Sequence, residues 1–141
     1  MTGAKEQPIM LHRAVMGSLE RFFGVLLEHT GGDFPLWLAP VQMRLLPVSD
    51  NAIPFCDEVA ALAHAIGVRM EVDNSQQRLA KKIRIAEREK IPLMAVVGEI
   101  EEHTRTLAVR ARKGGDLGSY DIDDLFTKIT AAVATGVDKH V

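Results

Sequence analysis

Three side chains near the start of the chain, His12, Ser18 and Arg21, are of types that bind anions or metal ions. The residue pattern predicts a short strand over residues 9–12, then a glycine turn, and then an amphipathic helix for which Ser18 is a suitable N-cap. A strand end, a turn and a helix N-terminus can converge on an anion, because the first N–H groups of a helix and its dipole favour negative charge. We expect the remainder of any such site to lie outside this chain.

Each of these side chains also has a structural interpretation. A lone histidine is a weak indication of a metal site, because zinc sites take three or four ligands and no Cys or His lies near His12 in the sequence. The planar guanidinium of Arg21 is suited to hold two phosphate oxygens of a nucleotide. The alternative is an exposed helix arginine that pairs with Glu20 or Glu28.

A basic stretch lies in the second half of the chain, although the formal net charge of the whole chain is -2. Residues 76–113 contain ten Lys and Arg against five Glu, so the remainder carries seven basic and fourteen acidic residues. A local positive face of this kind suits a polyanion. The spacing predicts a phosphate-binding helix face formed by Lys81, Arg84 and Arg88, with Arg78 and Lys82 beside it. A charged face that is merely solvated is the alternative.

Glu101 and Arg110 have the chemistry needed to read a base rather than a phosphate. A carboxylate accepts hydrogen bonds from N1 and N2 of guanine, and an arginine donates to O6 and N7. Such edges are accessible in unpaired loops of RNA. The alternative is a cross-strand salt bridge between the two residues on a hairpin, which would contribute under about 1 kcal/mol if exposed.

The elements that must position these side chains follow from the apolar pattern. Beyond a proline-rich connector at residues 35–40, apolar runs predict strands within residues 41–48, 68–72, 93–97 and 104–109. Helical periodicity predicts a helix with Val59, Leu62, Ala63 and Ile66 on one face, a helix over about residues 76–90, and a last helix from Asp121 to Gly136. This alternation predicts an α/β fold, a small mixed and mainly parallel sheet flanked by helices, with a right-handed βαβ crossover.

Several separated segments, in this order, resemble the signatures of one protein family. The segment from Leu11 to Phe22 resembles motif 3 of the class II aminoacyl-tRNA synthetases, and its residues are similar to those of the threonyl-tRNA synthetases. Residues 33–42 resemble the link into their anticodon-binding domain. Residues 82–84, 91–98 and 109–118 resemble signatures of that domain. The resemblance implies a five-stranded mixed sheet with three helices at residues 34–141, preceded at residues 1–33 by a strand and helix remnant of the catalytic domain.

The resemblance also implies a role for each candidate residue. Glu101 and Arg110 match the residues that read the middle guanine of the threonine anticodon. Gln76 and Arg78 align with residues that contact the third anticodon base, and Val48 aligns with an apolar contact at the same loop, where we also expect Arg84. The spacing of the basic helix, rather than the resemblance, assigns Lys81, Lys82 and Arg88 to the phosphate backbone. In a full-length enzyme only, Arg21 and Ser18 belong to the catalytic site with ATP, and His12 is a zinc ligand. Gln77 and Ala80 depart from the glutamate and glycine that are common in the family.

The implied function is the C-terminal region of a threonine–tRNA ligase, which activates threonine with ATP and uses zinc and magnesium. We expect this chain alone to bind threonine tRNA without a cofactor and without charging it, and its status as an enzyme stays open because motifs 1 and 2 are lacking. The full-length relatives imply a possible homodimer. The alternative is a stand-alone accessory or regulatory protein that uses the fold for protein interaction or tRNA delivery, with Phe22 and Phe23 on a dimer surface.

Composition limits the classes of protein further. The sequence contains no apolar run long enough to cross a bilayer and no pattern of a secretory leader at its N-terminus, so we expect a cytoplasmic protein with no membrane partner. The single cysteine, Cys56, is expected to be a buried thiol because it lies among apolar residues at the start of a predicted helix.

Overall fold

A computed structural model describes residues 8–136 of the chain. The chain divides into two compact units, Met1–Gly32 and Asp33–Val141, and this boundary is one residue from the one expected from the sequence. Within the described residues, no helix has the length and apolar character needed to cross a membrane.

The first unit contains one helix, α1, at Leu19–Thr30. The Ser18 Oγ accepts a hydrogen bond from the Arg21 backbone N–H (3.4 Å), so the predicted N-cap is confirmed. The same hydroxyl donates to the Glu20 carboxylate at 2.6 Å, which lowers the pKa of that group. The predicted strand at residues 9–12 is wrong, because these residues are irregular and a strand requires a paired neighbour that the described residues do not supply.

The second unit contains a five-stranded sheet in the order β2-β1-β3-β4-β5, so the predicted α/β class is confirmed. The strands are β1 Met43–Pro47, β2 Met70–Val72, β3 Leu93–Val97, β4 Thr106–Ala111 and β5 Gly115–Asp121. The first three strands are parallel, and β4 and β5 are antiparallel to their neighbours. The helices are α2 Ile53–Ala65, α3 Leu79–Arg88, α4 Glu99–Thr104 and α5 Ile122–Thr135, with a single 3₁₀ turn at Asp50–Ala52.

Two details differ from the expected elements. The strand predicted from Thr104 begins at Thr106, because the preceding residues form the short helix α4, which ends at Arg105 in a left-handed conformation. On α2 the buried residues are Phe55, Cys56, Val59, Ala60 and Ala63, whereas Leu62 and Ile66 are 44% and 49% exposed. The buried face of α2 is therefore rotated about the helix axis relative to the prediction, so that Leu62 and Ile66 lie toward solvent.

Apolar side chains cover both faces of the sheet. On one face α2 and α5 pack against Leu45, Val97 and Leu107, among others. On the other face α3 packs through Ala86 against Leu46 and Met94. Cys56 is fully buried as predicted, and desolvation raises the pKa of its thiol to about 12.

The order of the strands determines where a binding site can form. The chain leaves β1 through α2 to reach β2 on one side, and it returns through α3, on the opposite face, to reach β3 on the other side. From β3 it continues away from β1 to β4. The carboxyl ends of β1 and β3 thus form a topological switch point, which is where open α/β sheets bind ligands.

Candidate nucleic-acid interface

The residues that follow the parallel strands lie together at the switch point. The Val48 N–H donates to the Val97 carbonyl oxygen (2.9 Å), so the chain after β1 lies beside the end of β3. The Val48 side chain is 56% exposed there. The amide of Gln76, after β2, lies 3.2 and 3.3 Å from the two carboxylate oxygens of Asp50. Two of the predicted anticodon contacts are therefore brought to one end of the sheet.

Glu101 lies in the first turn of α4, directly beyond β3. Its Oε2 accepts a hydrogen bond from the Gly98 N–H at 2.9 Å, which is the reciprocal half of a capping box. Neither the hairpin position nor a salt bridge to Arg110 is found among the described residues, so that alternative interpretation is wrong. The carboxylate instead stays partly exposed at the carboxyl end of the sheet.

Arg110 lies in the middle of the sheet, on β4, opposite Met94 of β3. Leu107 and Val109 of the same strand point into the core with α2 and α5, so alternation places Arg110 on the opposite face. Its Nε is buried and has no hydrogen-bond partner among the described residues. Burying such a donor unsatisfied costs about 1–3 kcal/mol, and more where the group is charged, so a change of conformation that gives this group an acceptor would be favourable.

Glu101 and Arg110 lie at different heights along the sheet. β3 rises about 3.3 Å per residue, so the backbone opposite Met94 lies roughly 10 Å short of the carboxyl end of β3. Glu101 follows that carboxyl end, whereas Arg110 is in register with Met94.

The exposed surface of α3 carries the predicted basic face. Lys81, Arg84 and Arg88 are exposed, and they lie opposite the buried side of the helix. Glu89, which would otherwise reduce the local charge, is engaged by Arg44 of β1 (2.5 Å). Arg78 is exposed at the N-cap position of the same helix.

A groove lies beside this helix. Its volume is about 460 Å³, and it is lined by Arg44 of β1, by residues of β2 and of the segment after it, and by Gln77, Lys81, Ile85 and Glu89 of the α3 region. Its lining includes the carboxylates of Glu71, Asp73 and Glu89 beside the cations of Arg44 and Lys81, so the groove carries mixed charge.

Lys82 does not belong to the basic face, which corrects its predicted contact with phosphate. It is 5% exposed, and its Nζ donates to the backbone oxygens of Pro47 (3.1 Å) and Asp73 (2.9 Å). Pro47 ends β1, and Asp73 follows β2. The position of Lys82 one residue beyond Lys81 rotates it by about 100° around the helix, from solvent to the sheet.

The candidates of the first unit do not form a complete site. The Ser18 hydroxyl caps α1, and Arg21 and His12 are exposed. Across residues 8–136 no three His, Cys, Asp or Glu side chains are grouped to hold a metal ion. Among these residues His12 is not grouped with the further ligands that a zinc site needs, and the roles that the family resemblance implies for His12 and Arg21 concern the full-length enzyme only.

An α/β domain with polar side chains at its switch point and a basic helix surface beside them has the features expected of an RNA-binding module. The chain belongs to the family described as the anticodon binding domain, whose model matches residues 42–132.

The individual proteins that are similar to this chain belong to a more specific group within that family. The chain is 60% identical, over 93% of its length, to a chloroplastic/mitochondrial threonine–tRNA ligase of Arabidopsis thaliana, and 52% identical, over 94%, to the threonine–tRNA ligase of Synechococcus elongatus. It covers only 20% and 22% of those two proteins, so it spans about a fifth of the length of the curated relatives it matches. The crystal structure of the RNA binding domain of threonyl-tRNA synthetase from Cryptosporidium parvum covers 83% of the chain and is itself covered to 30%, with a TM-score of 0.77 and 30% identity.

Two adjacent lysines of α3 test the assignment of Lys82. Lys82→Ala should lower the free energy of unfolding by about 2 kcal/mol or more, because one buried and one partly buried carbonyl group lose their donor. Lys81→Ala, its exposed neighbour, should change it by no more than about 0.5 kcal/mol. Urea denaturation followed by circular dichroism measures both. Equal effects of the two substitutions would contradict the structural role of Lys82.

Proposed function

We propose that this chain recognises the anticodon of threonine tRNA, with base-reading groups at the carboxyl end of the sheet and a phosphate-binding face on α3. The observation that carries the proposal is the buried, unpartnered Nε of Arg110. A buried cationic donor without an acceptor is costly in the free protein, and a turn of the guanidinium toward an unstacked base would supply the missing acceptor.

The division of roles follows from burial and position. Glu101 and Arg110 read the middle guanine, because a carboxylate and a guanidinium together match its two edges. Val48 and Gln76 contact the neighbouring part of the anticodon loop, and Arg78 and Arg84 extend that contact along α3. Lys81 and Arg88 bind phosphates, which anchors the RNA irrespective of its sequence.

The matched ligases are about five times as long as this chain, and we propose that it supplies the tRNA-recognition part of such an enzyme. Alone it binds tRNA without charging it and without ATP, zinc or magnesium. In the longer enzyme, Arg21 would bind an ATP phosphate beside Ser18, and His12 would complete a zinc site. We propose the cytoplasm as its location, although one similar relative is named as chloroplastic/mitochondrial.

The middle base provides the sharpest test of the base readers. Arg110→Ala and Glu101→Ala should each reduce the preference for the native transcript over one with adenine at the middle anticodon position, by about 1–3 kcal/mol. Fluorescence anisotropy with both transcripts measures the preference. Arg105→Ala is the control, because this arginine is 55% exposed and pairs with Glu58.

The outcome separates the two candidate functions. Loss of preference in the two variants with no loss in the control supports anticodon recognition. Equal binding of both transcripts by the unmodified chain would contradict it and favour the accessory protein. The observation behind that alternative is that Phe22 and Phe23 of α1 are 43% and 53% exposed. If it holds, size-exclusion measurements should show a dimer that the substitution Phe22→Asp dissociates.

The phosphate face has a different signature. Lys81→Ala and Arg88→Ala should weaken binding to both transcripts to a similar degree and lower the slope of log affinity against log salt by about 1 each. Lys128→Ala on α5 is the matched control, since this lysine lies beside Asp124 and Tyr120. If Lys81→Ala changed base preference and left the salt slope intact, the separation into readers and phosphate contacts would be wrong.

A further inference from the structure

Gly98 makes the closest described contact to the Glu101 carboxylate. Its N–H donates to Oε2 at 2.9 Å, and its carbonyl oxygen accepts the first helical hydrogen bond of α4 from Glu102 (3.1 Å). The backbone of Gly98 is extended, with φ -115° and ψ -169°, which any residue adopts. The conformation of the backbone therefore does not require glycine here.

The space around Gly98 is tight instead. A Cβ at this position would lie 3.1 Å from Glu101 Oε2 and 3.9 Å from Val48 Cγ2. The second distance is an ordinary van der Waals contact, but the first is tighter than most contacts of a Cβ, so the carboxylate oxygen would have to give way by a few tenths of an ångström. The atom that would have to move belongs to the end of a flexible side chain, so the fold can accommodate a methyl group. The displaced group would be the carboxylate itself.

We propose that Gly98 is a positioning residue for base reading, which holds the Glu101 carboxylate by its N–H and, through the lack of a side chain, leaves room for that carboxylate against the backbone. This inference rests on the proposed function. A carboxylate offers about four acceptor sites, so the bond from Gly98 leaves sites on both oxygens for guanine N1 and N2. The side chain is thereby oriented before RNA binds, and a reading group must be held to within about 0.5 Å to act.

The position of Gly98 in the sheet supports the same role. It follows β3 directly, and β1 ends beside it, because Val48 donates to the carbonyl oxygen of Val97. A change at Gly98 therefore acts on the two groups at the switch point, Glu101 and Val48, and only weakly on the core. Its effect should appear in discrimination between bases rather than in stability.

A double-mutant cycle tests the proposal on the full chain. The variants are Gly98→Ala, Glu101→Ala and the two together, and the readout is the ratio of affinities for the threonine transcript with guanine or adenine at the middle anticodon position. Gly98→Ala should lower this ratio about tenfold, and it should cause no further loss when Glu101 is already alanine. Gly24→Ala in α1 is the control, since a Cβ there meets nothing within 4 Å.

A second variant avoids any change at Gly98. Glu101→Asp keeps the charge but shortens the side chain by one methylene group, so the carboxylate no longer reaches the Gly98 N–H. It should lose about as much discrimination as Glu101→Ala. If urea denaturation shows that Gly98→Ala is not folded, full discrimination between the two transcripts by Glu101→Asp still contradicts the positioning role.

The possible results are distinguishable. If Glu101→Ala loses discrimination while folded Gly98→Ala or Glu101→Asp retains it, the positioning role is overturned and the proposed function stands. If Gly98→Ala lowers the ratio equally with and without Glu101, its effect does not pass through the carboxylate, which also overturns the inference. If Glu101→Ala itself has no effect, the reading role of Glu101 fails, and the role of Gly98 fails with it.

Discussion

The buried ammonium group of Lys82 is the interaction on which the rest of the candidate site depends. It extends from α3 to the carbonyl oxygens of Pro47 and Asp73, the points at which the chain leaves β1 and β2. A buried charge is costly unless hydrogen bonds replace its water. Here the two carbonyl groups do so, and the same bonds fix the two loops that carry Val48 and Gln76. A residue of the basic stretch thus supports the candidate binding surface from inside the fold.

Around Lys82, packed strands and helices support the polar side chains that lie at the end of the sheet. Parallel pairing of β1 with β3 brings Val48 and Gly98 side by side, and packing on both faces of the sheet keeps the strand ends in register. The reading groups are then placed on strands and on the first turn of a helix rather than on long loops. A site on regular elements is more exact in its geometry than one on loops. The buried donor of Arg110 is tolerated because the surrounding sheet is well packed.

The sequence predicts the repeating elements well, because burial imposes a period on them. The strand at Leu93–Val97 and the last helix with its Asp121 cap and Gly136 terminus match their predictions. The pattern missed α4, which has no buried residue, and β5, whose glycines and polar residues conceal its pairing. The predicted strand at residues 9–12 had the right composition but no partner. Hydrophobic periodicity and composition are properties of one segment at a time, whereas the pairing of a strand depends on the strands beside it in the fold.

The same distinction applies to the candidate site. Glu101 and Arg110 could be selected from their chemistry and from the family resemblance, and the exposed positions of Lys81, Arg84 and Arg88 follow from helical spacing. Lys82 could not be separated from them, because a run of two lysines does not show which one faces the sheet. Asp50 and Gly98 were missed altogether. Their importance arises from the approach of segments that are distant in the sequence, and no local signal records it.

The most direct measurement is the ¹H–¹⁵N resonance of the Arg110 Nε–H group in the free chain and with an anticodon stem-loop of threonine tRNA. We predict that this resonance shifts when the stem-loop carries the middle guanine, since the guanidinium then gains the acceptor that the free protein lacks. An adenine at that position should leave it nearly unchanged. An unchanged resonance in a saturated complex with the native stem-loop would contradict the reading role of Arg110 and, with it, the proposed mode of recognition.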